Sequence, residues 1–154
     1  MKSLLISIAV LALALGIGFA VMAVQSRAGK APGLVDGQLK PCGDKPNCVS
    51  SMARASDSHH VEGIRFEPGN ADTVWAELTN AIVELGGELR HNGPPYLAAT
   101  FTSDVFGFVD DVECLISNES GTIHIRSASR VGYSDLDVNR KRVEALRARL
   151  TAAR

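Results

Sequence analysis

Aromatic side chains are scarce: one Trp, two Tyr and five Phe make up 5% of the 154 residues. That leaves little material for the stacking platforms with which domains grip single-stranded nucleic acid or sugars. Charge of one sign is missing as well, since 16 Lys and Arg against 17 Asp and Glu leave a formal net charge of -1. Without a basic excess, nucleic acid is not an expected partner. The chain has no internal repeat, no Gly-rich phosphate-cradling loop and no Ser-His-Asp order around a nucleophile elbow. Its four histidines, His59, His60, His91 and His124, lack metal-ligand spacing, and its three cysteines include no C-x-x-C pair. Neither a cofactor nor a metal ion is therefore expected.

Apolar residues are abundant, and they are concentrated at the start. Leu4 to Val24 reads LLISIAVLALALGIGFAVMAV without a charge, long enough to cross the roughly 30 Å hydrocarbon layer as a helix. A retained membrane anchor is the first reading of residues 1–26; a cleaved secretory signal, with Val21-Met22-Ala23 as the cleavage site, is the second. Both place the rest of the chain outside the cytoplasm: on the periplasmic side of an inner membrane as a single-pass protein, or free in the periplasm after cleavage. A buried core helix is disfavoured because nothing polar marks an outer face. Lys2 on one side and Arg27 and Lys30 on the other specify orientation only weakly.

Residues 27–39 show neither helical nor strand periodicity and read as a flexible tether, leaving 40–154 as one domain. That domain begins with Cys42 and Cys48, which enclose Pro, Gly and Asn; in an oxidising compartment such a pair most simply forms a disulfide. Cys114 falls in a strand pattern and reads as a small buried apolar residue.

Further on, Val61 to Phe66 is a strand candidate ending at Pro68-Gly69. Asn70 or Asp72 then opens a helix to about Leu85, with Val74, Trp75, Leu78, Ala81, Ile82 and Leu85 on one face and Gly86-Gly87 as its stop. Strands are expected at Tyr96–Thr102, Val105–Ile116 and Thr122–Val131, the last two joined by a turn at Asn118 to Gly121. A closing helix from about Asp137 to Ala152 carries Leu136, Val143, Leu146 and Leu150 inward and a basic outer side. The fold class is therefore α+β: a small antiparallel sheet in the order β-α-β-β-β-α with both helices packed on one face, preceded by the transmembrane segment.

If Ile116 pairs with Ile123, the same register sets Glu113 opposite Arg126, Asp111 opposite Ala128 and Asp110 opposite Ser129. The inner face then holds Phe106, Phe108, Val112, Cys114, Ile116, Ile123 and Ile125, and Asp110 interrupts it. A carboxylate there needs donors, for which Ser127, Ser129 or backbone amides are the candidates. Asp111, Glu113, Arg126 and Arg130 share the outer face as cross-strand ion pairs.

Pro41-Cys42, Pro46 to Ser51, Phe106 to Glu113, Arg126 to Asp135 and Asn139 to Arg142, in this order, resemble the signature segments of the family catalogued as domain of unknown function 1499, over roughly Leu39 to Leu150. The resemblance implies export or membrane attachment without implying a reaction. Two positions depart from the family pattern: Cys114, where an aromatic is usual, and Asp137, where glycine is usual.

Three functional classes remain open. In the first, Arg126, Arg130 and Arg140 converge near the sheet edge with Tyr133 and Asn139, and their guanidinium forks bind a small anionic ligand or a lipid headgroup. The competing structural account has the same residues locking the last strand to the helix through Asp110, Asp111, Glu113 and Asp135, with Ser129 beside them. In the second class the domain assembles with another envelope protein. In the third, Asp110, Asp111 and Glu113 act as acid and base or hold a divalent cation; the opposite directions of Asp110 and Asp111 on a strand oppose it.

Overall fold

The computed structural model describes residues 1–152. A long helix, α1 (Lys2–Ala28), comes first and carries the whole uncharged run. It is long and apolar enough to cross a membrane, and its apolar residues face outward along most of its length. Strands β1 (Leu34–Val35) and β2 (Gln38–Leu39) form a small hairpin, and β3 (Cys48–Ser50) and β4 (Ile64–Arg65) precede helix α2 (Ala71–Glu84). Then come β5 (Glu88–Gly93), β6 (Tyr96–Thr102), β7 (Val109–Ser117), β8 (Thr122–Ser129) and helix α3 (Val138–Ala152).

The main sheet is antiparallel, in the order β3-β8-β7-β6-β5, with β4 also paired to β8. Helices α2 and α3 cover one face, and the fold is α+β as the element pattern predicts. The β7–β8 register is the expected one: Ile116 faces Ile123, Glu113 faces Arg126, Asp111 faces Ala128 and Asp110 faces Ser129. Alternation then divides β7 between two environments. Val112, Cys114 and Ile116 join Ile123, Ile125, Leu78, Ile82, Val143, Leu146 and Leu150 in the core. Gly86, at φ +87, turns the chain out of α2, and Gly87 passes so close to the helix that a Cβ would stand 2.8 Å from the Ile82 carbonyl.

Several expectations need correction. The strand expected at Val61–Phe66 is reduced to Ile64–Arg65. Strand β5 has no clear signal in the sequence, because ELRHNG is polar and sits at the sheet edge. Phe106 and Phe108 lie outside β7, which starts only at Val109. They stack instead near Phe19 of α1, with the Phe106 ring 4.9 Å from it. Leu136 is not part of the inward stripe of α3 but is 82% exposed, in a turn where it and Asp137 both adopt positive φ. Glycine tolerates that conformation best, in keeping with the glycine that the resemblance implies at the position Asp137 occupies.

The stretch read as a tether lies on the sheet. Leu39 is buried, and the Gly33 amide donates to Glu113 Oε1 at 2.9 Å. The linker thereby covers part of the sheet face that the helices leave open. Cys42 and Cys48 form a disulfide with their Cα atoms 5.7 Å apart, which closes the loop leading into β3.

Candidate functional site

The acidic residues of β7 fall into two separate networks because strand geometry sends neighbours to opposite faces. Asp110, on the helix side, accepts from Arg142 Nη2 at 2.8 Å. Arg142 is thus the missing donor, where Ser127, Ser129 or amides were expected. Its Nη1 also donates to Asn139 Oδ1 at 2.7 Å and to Ser127 Oγ, and its guanidinium lies 4.5 Å from the Phe101 ring centroid. Asn139 is fully buried and bridges α3 to the sheet: its Nδ2 donates to the Asn47 carbonyl, Ser129 Oγ and Asp135 Oδ2. Asp135 in turn accepts from the Asn139 amide at 2.9 Å, satisfying one of the free N–H groups at the start of α3.

On the other face Glu113 is 0% exposed and accepts three bonds. Gly33 N–H and Tyr96 O–H reach Oε1, and Arg126 Nη1 reaches Oε2 at 2.9 Å. Burial, reinforced by the bond to Glu113 and the carboxylate charge, pushes the Tyr96 hydroxyl well above its ordinary range, so it stays a proton donor. Asp111 receives a two-pronged guanidinium contact from Arg130, at 2.8 Å from Nε and 2.7 Å from Nη2. The remaining prong of Arg130 donates to the Ser26 carbonyl of α1 at 2.9 Å. Ser26 Oγ is itself bonded to the backbone of Val109, accepting from its amide at 2.7 Å. The end of α1 is thus bonded directly to the start of β7.

The arginines expected to converge on one anion do not. Arg126 is committed to Glu113, Arg130 to Asp111 and Ser26, and Arg140 to the backbone carbonyls of His60 and Ser58. Tyr133 is exposed in the turn after β8. Asp110 and Asp111 are engaged by different arginines on opposite faces and share no site. Cys114 is fully buried in the core, and burial first, then the neighbouring Glu113 charge, pushes its thiol far above the ordinary range. Among the described residues no group of three His, Cys, Asp or Glu could hold a metal ion.

What the sequence does not disclose is a cleft of about 630 Å³ beside the end of α1. Its walls come from Arg27 in the last turn of α1 and the segment that follows, including Lys30 and Gly33, and from the outer side of β5 and β6, including Arg90, His91, Tyr96 and Thr102. Four of the lining residues are cationic (Arg27, Lys30, Arg90 and Arg130) and none is acidic. Arg130 is neutralised by Asp111, and Arg90 is paired with Glu88 in the open. Among the described residues Arg27 and Lys30 form no ion pair. Both lie outside the segments that carried the family resemblance. Only folding brings them opposite Arg90, 60 positions further on than Lys30.

The model of the family described as Protein of unknown function (DUF1499) matches residues 38–150, the greater part of the chain. The chain belongs to that family. No curated protein matches it, and no solved structure does. The match to the DUF1499 family takes in the whole main sheet with α2 and most of α3, but leaves out α1 and the residues up to Gly37. The cleft therefore has one wall from the family domain and one from the segment that joins it to α1.

Proposed function

We propose that this protein is held in a membrane by α1, with its domain on the periplasmic side, and that the domain has a non-catalytic role: it binds an anionic lipid headgroup in the cleft beside the helix end. The observation that carries this reading is the cationic, acid-free lining of a cleft that opens where the uncharged run of α1 stops. Among the described residues Arg27 and Lys30 have no carboxylate partner, which leaves their charges for the phosphate oxygens of a headgroup. Basic residues next to a membrane segment are the ordinary means by which proteins hold anionic headgroups. The Cys42–Cys48 disulfide supports an oxidising compartment.

The cleft, and not the arginine cluster of the last strand, is the better candidate because the guanidiniums of that cluster already have partners. The structural account therefore fits Arg126, which Glu113 holds, whereas Arg140 is spent on the His60 and Ser58 carbonyls and Arg130 both supports the sheet and forms part of the cleft wall.

Mass spectrometry of the full chain extracted in mild detergent tests the reading. An anionic phospholipid should remain bound, and Lys30→Ala, at a side chain in no ion pair among the described residues, should lower its retention while leaving the melting temperature unchanged. Retention of neutral lipids in the same proportion as the membrane would count against it. Capture of a protein in place of a lipid would favour an envelope assembly role.

A further inference from the structure

Three of the five phenylalanines meet at one place. Phe106 and Phe108, from the loop between β6 and β7, lie with ring centroids 5.4 Å apart, and Phe19 of α1 stands 4.9 Å from the first and 6.3 Å from the second. The loop is closed and well bonded: the Gly107 amide donates to the Ser103 carbonyl at 2.9 Å, and the Ser103 amide to the Phe108 carbonyl at 2.8 Å. Gly107 takes φ +64, and its carbonyl accepts from Arg27 Nε. At its tip Val105 is 82% exposed and Phe106 is 48% exposed.

The level of this loop along α1 decides what surrounds it. Phe19 precedes Val24, the last residue of the apolar run, by five positions, and at about 1.5 Å per residue that is roughly 7.5 Å inside the end of the span. A residue stacked on Phe19 therefore sits at a depth where lipid, not water, is the neighbour. Interfacial apolar groups are characteristically buried about 5–10 Å into the headgroup and acyl boundary. Asp104, exposed in the same loop, sets a limit on how deep the tip can go.

We infer that the β6–β7 loop is a second membrane contact, in which Val105 and Phe106 enter the same leaflet as Phe19 and hold the domain at a fixed tilt over the lipid surface. The inference rests on α1 spanning a bilayer, and not on the cleft binding a headgroup. It also gives the two exposed side chains a solvent suited to them. Beyond the loop, the Arg130 bond to Ser26 and the Ser26 bond to Val109 fix the same junction from its polar side.

Fluorescence quenching in vesicles of phosphatidylglycerol and phosphatidylcholine tests this with the full chain. Variants with one added cysteine, Val105→Cys, Leu11→Cys and Glu119→Cys, are labelled with an environment-sensitive dye; Cys42 and Cys48 are bonded to each other and Cys114 is buried, so the new thiol is the reactive one. Glu119 lies in the β7–β8 turn, at the opposite end of β7. The expected result is strong quenching of the Val105 label by lipids carrying a nitroxide near the headgroup, quenching of the Leu11 label by deep nitroxides, and quenching of the Glu119 label by aqueous iodide alone. A Val105 label open to iodide, with Leu11 still quenched by lipid, would overturn the loop contact and leave the anchor standing. A Val105 label shielded from both quenchers, with energy transfer between labelled copies, would assign the patch to a second copy of the chain and equally overturn it. Failure of lipid to quench Leu11 would remove the anchor and the inference together.

Discussion

The two faces of β7 carry the same kind of interaction and use it differently. On the helix side Asp110 meets Arg142, both side chains still slightly open to water, and the pair ties α3 to the sheet. On the opposite side Glu113 is sealed under irregular chain and satisfied by three donors, while Asp111 reaches through Arg130 to the end of α1. One set of charges closes the domain upon itself, and the other joins the domain to the helix before it. Burying a charge is tolerable only when its partners are complete, so the sealed side is the one with more to lose.

Glu113→Ala gives the largest expected effect. It strands Arg126 and Tyr96 under the linker, and removal of one partner from a buried pair costs roughly 3–5 kcal/mol; urea titration of the full chain should show it. Arg142→Met should cost less, about 2 kcal/mol, because Asp110 can recover some hydration while Asn139 loses a donor to its Oδ1. Equal losses in the two variants would erase the contrast between the faces. Arg130→Lys retains the charge but not the fork. It should lower stability by about 1 kcal/mol and, as the sharper readout, speed hydrogen exchange at the Val109 amide, whereas Arg142→Met should leave that amide unchanged.

The outer face also contains a titrating group. Burial, with Arg65 nearby, holds His124 below its ordinary value, and its Nδ1 has no hydrogen-bond partner among the described residues. The unfolded chain therefore takes up the proton first, and His124 subtracts stability as pH falls below about 6.5. His59 acts in the opposite sense. Its bond to Asp57, the largest influence, raises it, so its contribution is complete below that pH and disappears as pH rises through its folded value. His124→Gln should accordingly flatten the loss of stability between about pH 7 and 5. Smallest of all, Asp137→Gly should stabilise the turn before α3 by about 0.5–1 kcal/mol by relieving its positive φ, with no effect on either face.

Much of this arrangement is legible in the chain. The Asn118–Gly121 turn and the alternation on either side set the β7–β8 register to the residue, and with it the separation of Asp110 from Asp111. Alternation misleads at Phe106 and Phe108, where a period of two continues through Gly107 although that glycine's φ breaks the strand. Arg142 reads in the sequence as one of several solvated basic residues, because the rotation of a helix rich in arginine depends on packing that composition does not encode. The cleft is not legible at all. Its walls are far apart in sequence, and its most available cations lie in a stretch with no periodicity to attract attention.

The bond between Arg130 and the Ser26 carbonyl has a mechanical consequence. A domain joined to its anchor by slack chain sweeps a hemisphere and reaches whatever drifts past; here helix and sheet share a rivet, and turning one turns the other. On the proposed reading, with α1 spanning a bilayer, the domain's working range shrinks to a thin shell just above the lipid, and its bearing follows the rotation of the helix.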